Sequence, residues 1–172
     1  LTNLRHLYIG KNAIANVAPL AGLTALTVLR AGDNRIVDVS PLAGLAALEK
    51  VSLAGNAIVD AAPLTRAPSL REIDLSRNAL VTPPSFRRSP ELRYLNLANN
   101  AIVDPTPLLA SREGSAQFAL RKLLTLDLAG NRITSLRPLT RWIGNLNRLR
   151  LVGNPIAPGE TCPLNQSTYC EM

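Results

Sequence analysis

The chain has 172 residues, of which 47% are apolar and only 3% aromatic, and its formal net charge is +7. This length suffices for one domain with a substantial core, and the scarcity of rings predicts many similar aliphatic layers. No apolar run approaches the roughly 18 residues that a membrane-spanning helix needs, and no signal-peptide pattern opens the chain. The first residues, LTNL, match LTAL at 23–26 inside the pattern described below, so we expect a natural N-terminal portion to precede them.

One pattern, LxxLxLxxN, occurs seven times along the chain. Its copies are LRHLYIGKN, LTVLRAGDN, LEKVSLAGN, LREIDLSRN, LRYLNLANN, LLTLDLAGN and LNRLRLVGN, and they end at Asn12, Asn34, Asn56, Asn78, Asn100, Asn131 and Asn154. The first five asparagines are 22 residues apart, and steps of 31 and 23 follow. Alternating apolar residues predict a short strand with one buried face, and the fixed period predicts that these strands stack in parallel. We expect each asparagine amide to bond backbone groups that would otherwise be buried without a partner.

The segment that returns to the next strand is equally regular. NVAPL, DVSPL, DAAPL and DPTPL place Asn16, Asp38, Asp60 and Asp104 where a helix N-cap would lie, and a proline follows in or near the first turn. Few residues remain before the next strand, so the spacing predicts a single turn of 3₁₀ helix in each repeat.

These residues resemble the leucine-rich repeat family, and the NxIxDxxPL continuation is similar to the 22-residue class of bacterial internalins and the phosphatase-1 regulatory subunit. The resemblance implies the α/β class: a solenoid of about seven repeats, with a curved, parallel concave β-sheet and short 3₁₀ turns on the convex side. We assign residues 1–157 to the solenoid. One unit, ALVTPPSFRRSPE, departs from the pattern, since Pro83, Pro84 and Phe86 replace the acidic residue and the Pro-Leu step.

In this architecture the outward strand positions line the concave face and are the candidate binding residues. The candidates are Tyr8, Arg30, Lys50, Glu72, Asp74, Tyr94, Asn96, Asp127, Arg148 and Arg150. Their charge is zoned, with basic residues at both ends and acidic residues in the centre. Because tyrosine is enriched at interface hot spots, we favour a patch of Tyr94, Asp74 and Asn96. A solvated sheet face without selected contacts is the alternative.

The 31-residue step contains nine extra residues within about 109–121, in LLASREGSAQFALRKLL. Leu109, Phe118 and Leu120 predict a short helix or a looped excursion on the return side. Such insertions carry binding specificity in some repeat proteins and are tolerated neutrally in others; we favour the neutral interpretation. The single Trp142 stands where other repeats place a core leucine, and we predict that it fills the core.

Both cysteines, Cys162 and Cys170, lie in a C-terminal segment, 158–172, that lacks the repeat pattern. We predict that this segment caps the last coil, with Pro163, Leu164 and Tyr169 lying across it. A disulfide between the cysteines would pin the cap and imply an oxidising compartment. Reduced thiols in a cytosolic cap are the alternative. A metal site needs more ligands than two cysteines and the distant histidine, so we predict none.

No set of residues predicts catalysis. His6 is the only histidine and has no nucleophilic partner, while Asp74 and Asp127 are two repeats apart on a face that we expect to be shallow. We therefore predict neither an enzyme nor a cofactor. The arginines near the fourth repeat fall on several faces rather than on one stripe with aromatic residues, which disfavours nucleic acid.

The remaining prediction is a monomeric scaffold, secreted or exposed at the cell surface, that binds another protein or a glycan on its concave face. The alternative is a cytoplasmic regulatory domain of a larger signalling protein, of the GTPase- or phosphatase-regulator type. The redox state of the two cysteines distinguishes these interpretations.

Overall fold

The fold is an open sheet of stacked coils. The computed structural model describes residues 1–109, 120–141, 146–162 and 169–172. Within these ranges the strands are β1 His6–Tyr8, β2 Val28–Arg30, β3 Lys50–Ser52, β4 Glu72–Asp74, β5 Tyr94–Asn96, β6 Thr125–Asp127, β7 Arg148–Arg150 and β8 Tyr169–Glu171. The predictions for the inserted residues 110–119, for Trp142 and for Pro163 and Leu164 lie outside the described residues.

Every strand pairs in parallel with the next strand along the chain, so the sheet order is β1 through β8. The register keeps equivalent repeat positions side by side: His6 pairs with Val28, and Val28 with Lys50. It is also kept across the 31-residue step, where Tyr94 pairs with Thr125. The leucine-rich repeat solenoid predicted from the sequence is therefore confirmed.

Short 3₁₀ turns return the chain to the sheet. In the described residues they are Ala18–Leu20, Ser40–Gly44, Ala62–Arg66, Thr106–Leu109 and Arg137–Arg141. The Asp38 carboxylate accepts the backbone N–H of Ser40 at 2.7 Å, and equivalent bonds come from Asn16, Asp60 and Asp104. In the first three turns the cap position itself falls one residue later, at Val17, Val39 and Ala61. In these four turns the polar side chain thus accepts the N–H of the first residue of the turn from two positions before it.

The core is a continuous aliphatic column because each coil packs its inward side chains on its neighbours. The central strand residues are buried at Leu29, Val51, Ile73, Leu95, Leu126 and Leu149. The single large ring in the described core is Phe86, which is 1% exposed and occupies the repeat position of Leu64 and Leu108. Many small layers replace the large aromatic anchors of an ordinary core.

The asparagines connect adjacent coils through backbone groups. The Asn56 amide donates to the carbonyl of Leu53 in its own coil at 2.9 Å and to that of Ala31 in the preceding coil at 3.1 Å. Its oxygen accepts the N–H of Ile36, also in the preceding coil, at 2.9 Å. Equivalent bonds form at Asn34, Asn78, Asn100, Asn131 and Asn154. Among the described residues, the Asn12 side chain donates only to carbonyls of its own coil.

The residue before each asparagine has a left-handed backbone. The φ angles at this position range from 54° to 77°, at Lys11, Asp33, Gly55, Arg77, Asn99, Gly130 and Gly153. Left-handed φ costs a residue with a side chain roughly 1–2 kcal/mol, and Gly, Asn and Asp tolerate it best. Four residues with side chains nevertheless adopt it, so the stacking of the coils imposes this conformation.

The fourth coil returns without a 3₁₀ turn. No helical turn is assigned in the described stretch between β4 and β5, where Pro83 and Pro84 are buried. Ser89, 0% exposed, donates its hydroxyl to the carbonyl of Ala67 in the preceding coil at 3.0 Å. In this coil buried prolines, Phe86 and the Ser89 hydrogen bond therefore take the place of a capped turn.

The C-terminal segment adds strand β8 to the sheet. Cys162 and Cys170 form a disulfide, with their Cα atoms 6.3 Å apart. It is Cys170, paired with Leu149, that packs against the core, whereas Tyr169 is 60% exposed. The prediction that Tyr169 lies across the last coil is wrong, because the strand alternation turns Cys170 inward and its neighbour outward. Glu160 also bonds the preceding coil, accepting the backbone N–H of Leu136 at 2.7 Å.

Candidate functional site

The candidate site is the outward face of the strands, hereafter the concave face, formed by the first and third residues of each strand. The register sets Lys50, Glu72 and Tyr94 side by side in one column and Ser52, Asp74 and Asn96 side by side in the other. Neighbouring strands lie about 4.8 Å apart, so side chains of adjacent coils are in contact range. All ten predicted binding residues fall on these two columns.

The central part of this face contains a shallow hollow of about 270 Å³. Its outward lining residues are Arg30, Lys50, Ser52, Glu72, Asp74 and Tyr94. Two members of the favoured patch, Asp74 and Tyr94, therefore lie at one end of a concavity. The third, Asn96, uses its side-chain oxygen to accept the N–H of Ala98 at 3.0 Å.

Ion pairs between neighbouring strands neutralise part of the charge that the sequence zones along the face. Lys50 Nζ lies 2.7 Å from Glu72 Oε1, and Arg150 lies 2.8 Å from Asp127 Oδ2. Asp127 is only 7% exposed, so most of its surface is covered. Some of the basic and acidic residues that the sequence places in separate zones are therefore ion-paired on neighbouring strands once the coils are stacked.

Asp74 differs from these carboxylates. Its Oδ1 accepts the backbone N–H of Ser76 at 2.9 Å, and no cation of the described residues forms an ion pair with it. Partial burial, together with the negative charge of Asp74, raises the pKa of the Tyr94 hydroxyl above its ordinary value. Tyr94 therefore keeps its proton at neutral pH and presents a ring that is 37% exposed.

Cation–aromatic pairs stand at the two ends of the face. The guanidinium of Arg30 lies 5.5 Å from the centroid of the Tyr8 ring, and that of Arg148 lies 5.6 Å from the centroid of the Tyr169 ring. Glu171 on β8 contacts Arg150 and Arg148. The pairing with Arg150 holds the pKa of Glu171 below its usual value. The sequence did not predict that Tyr169 and Glu171 belong to the concave face, because their segment lacks the repeat. The alternation of side chains in YCE was the one available signal.

The described residues contain no group of three or more histidine, cysteine, aspartate or glutamate side chains placed to hold a metal. Nor do they form a helix of the length and hydropathy that crossing a membrane requires.

The repeated strand, helical turn and asparagine define a leucine-rich repeat scaffold. Family models described as leucine-rich repeats match residues 2–44, 46–102 and 119–136. An internalin C2 structure from Listeria monocytogenes is 30% identical, with 99% of this chain and 70% of that chain covered and a TM-score of 0.81. The chain belongs to the leucine-rich repeat family, whose members are protein-interaction scaffolds and generally not enzymes.

Two further solved structures show the range of this likeness. The internalin InlF from Listeria monocytogenes is 26% identical, with a TM-score of 0.84; the match covers 99% of this chain, which spans about half, 48%, of that one. The ectodomain of the Arabidopsis thaliana receptor kinase GASSHO1/SCHENGEN3, solved in complex with CASPARIAN STRIP INTEGRITY FACTOR 2, is 27% identical over 90% of this chain and 19% of that chain, with a TM-score of 0.73. No curated protein sequence matches the chain significantly.

Proposed function

We propose that this protein is a non-catalytic scaffold that binds a protein partner on the concave face, centred on Asp74 and Tyr94. The observation that carries the proposal is the hollow of about 270 Å³ with both residues in its lining. A partly exposed aromatic ring beside a concavity is the usual composition of an interface hot spot. One of the similar structures, the receptor ectodomain, holds a named partner in its complex.

The unpaired carboxylate of Asp74 favours a cationic side chain from the partner. Glu72 and Asp127 already have cations at 2.7 and 2.8 Å, whereas Asp74 has no ion-pair partner within the described part of the chain. A lysine or arginine of the partner would contact the Asp74 carboxylate and lie against the face of the Tyr94 ring, an arrangement that a cation–π interaction stabilises.

We further propose that the protein acts outside the cytoplasm. The disulfide between Cys162 and Cys170 ties β8, which pairs with β7, to the beginning of the C-terminal segment, and such bonds persist in oxidising compartments. Two of the similar structures are internalins and a third is a receptor ectodomain. The cytoplasmic regulator is the interpretation that free thiols in the native protein would favour.

The test is affinity capture with chemical crosslinking, using extracellular and cytosolic fractions of the source cells separately. The baits are the wild type, the double variant D74A/Y94A and the control V81A/T82A, which alters exposed residues of the same coil away from the sheet. We expect the wild type and the control to capture the same extracellular partner and D74A/Y94A to lose it. Equal capture by all three baits would refute the proposed site, and a partner only in the cytosolic fraction would refute the proposed location.

A further inference from the structure

A second hollow lies among the return segments, away from the concave face. Its volume is about 500 Å³, and three consecutive coils contribute to it. The polar lining includes Ser40, Asp60, Arg66, Ser85, Arg87 and Arg88. A concavity of this volume is in the range of small-ligand sites. We call it the return-side hollow.

The repeat register explains why arginines meet in the return-side hollow. Arg66 and Arg88 are 22 residues apart and occupy the same repeat position in neighbouring coils, and Gly44 holds this position in the coil before them. A Cβ atom added at Gly44 would meet no atom within 4 Å. The position is therefore open space in one coil and carries a guanidinium in each of the next two.

The charge in the return-side hollow is positive. Three arginines face one carboxylate, that of Asp60, whose Oδ1 accepts the backbone N–H of Ala62 at 2.8 Å. Arg87 already interacts with another group of the protein. Among the described residues no carboxylate forms an ion pair with Arg66 or Arg88. These two guanidinium groups are consequently available to an anion.

One hydroxyl in the return-side hollow also lacks a partner. The Ser40 hydroxyl donates to Asp38 at 2.8 Å, and the Thr65 hydroxyl donates to the carbonyl of Ala62 at 2.8 Å. The Ser85 Oγ, in contrast, is buried and has no hydrogen-bond partner among the described residues. A buried polar group without a partner costs roughly 1–3 kcal/mol, and a bound acceptor removes that cost.

We propose that the return-side hollow binds the tetrahedral oxyanion of a phosphate or sulfate monoester. Guanidinium groups bind two oxygens of such a group at once, and Arg66 and Arg88 supply two of these forks from adjacent coils. Rotation of the Ser85 side chain would bring its buried hydroxyl to the wall of the hollow, where it donates to a remaining oxygen. The rest of the ester occupies the volume next to Thr65. This site is separate from the concave face, so a ligand here and a protein partner there can be bound together.

The test is a nuclear magnetic resonance titration of the ¹⁵N-labelled protein with glucose 6-phosphate, glucose 6-sulfate and glucose. The variant R66Q/R88Q removes both guanidinium groups, and S85A removes the hydroxyl. The control R35Q/R132Q removes two exposed arginines outside the hollow and leaves the same net charge as R66Q/R88Q. The amide spectra of all variants also report whether the fold is intact.

We expect at least one of the two esters, but not glucose, to shift the amides of residues 85–88. The Kd should rise at least about tenfold in R66Q/R88Q because two charge-assisted contacts are lost. It should rise about threefold in S85A, which loses one hydrogen bond, and stay unchanged in R35Q/R132Q. Binding of only one ester identifies phosphate or sulfate as the ligand chemistry. Shifts that weaken equally in both arginine variants, or no shift with either ester, would overturn the proposal.

Discussion

Replacing Asn100 with alanine measures what the asparagine column contributes to stability. Among the described residues, the Asn100 oxygen is the only acceptor for the N–H of Leu80, at 3.0 Å, and its amide donates to the carbonyls of Leu75, Leu97 and Ala98. Those carbonyls keep a second donor, from Asn78, Asn131 and Arg77 respectively. Alanine therefore leaves one buried N–H without a partner and three carbonyls with one partner instead of two.

The expected loss follows from that count. An orphaned buried N–H costs roughly 1–3 kcal/mol, and each weakened carbonyl adds about 0.5 kcal/mol, so N100A should lower the free energy of unfolding by about 2.5–4.5 kcal/mol. For a chain of this length that corresponds to a fall in Tm of roughly 5–18 °C. Thermal unfolding followed by circular dichroism is the assay.

The matched control is Asn12, which occupies the same repeat position but whose side chain, among the described residues, donates only to the carbonyls of Ile9 and Gly10 in its own coil. N12A leaves no buried N–H without a partner, so we expect a loss below about 1 kcal/mol. Equal losses in N12A and N100A, or an unchanged Tm in N100A, would refute the argument that bonds between coils carry the stability.

Three further predictions follow from local geometry. G55A should cost at least about 1–2 kcal/mol, because Gly55 has a φ of 66° and an added Cβ would clash with the Asp33 carboxylate. G44A, in open space, should leave the free energy of unfolding unchanged, and denaturant unfolding compares the two. The pKa of Glu171 is lowered by Arg150. The stability that this pair contributes is therefore present above the ordinary carboxyl pKa of 4.5 and is lost as the pH falls below it. Hydrogen exchange of the β8 amides measured against pH should show this loss, and the pH dependence should be absent in E171Q. Alkylation under native conditions should modify no cysteine, and reduction should increase exchange in β8 but not in β2; a thiol that reacts without reductant would contradict the disulfide.

The repeat made most of the fold predictable from the sequence. The LxxLxLxxN pattern identifies the strands, their parallel order and the inward columns, since a fixed period leaves one way to stack the coils. Both columns of the concave face also follow from it, including Asp74 and Tyr94. The pattern states which positions face outward but not which neighbours pair, so Asp127 could be placed on the face while its burial against Arg150 could not be predicted.

What the sequence did not predict falls where the repeat changes or ends. Strand β8 follows no repeat consensus, so Tyr169 was assigned to a cap across the last coil rather than to an eighth strand. The left-handed position was visible as the glycines at 55, 130 and 153, but Lys11 and Arg77 at the same position concealed the rule. The return-side hollow depends on which side chain occupies one position in three successive coils, and this is read only after stacking.

The central claim, that the concave face is the binding surface, is tested most directly by site-specific photocrosslinking. A photoreactive phenylalanine analogue is placed at position 94 in one variant and at position 81 in another, and each is irradiated with the captured partner. We expect position 94, at the concave hollow, to crosslink and position 81, exposed on the flank of the preceding coil, not to. Crosslinking from position 81 but not from position 94 would contradict the account.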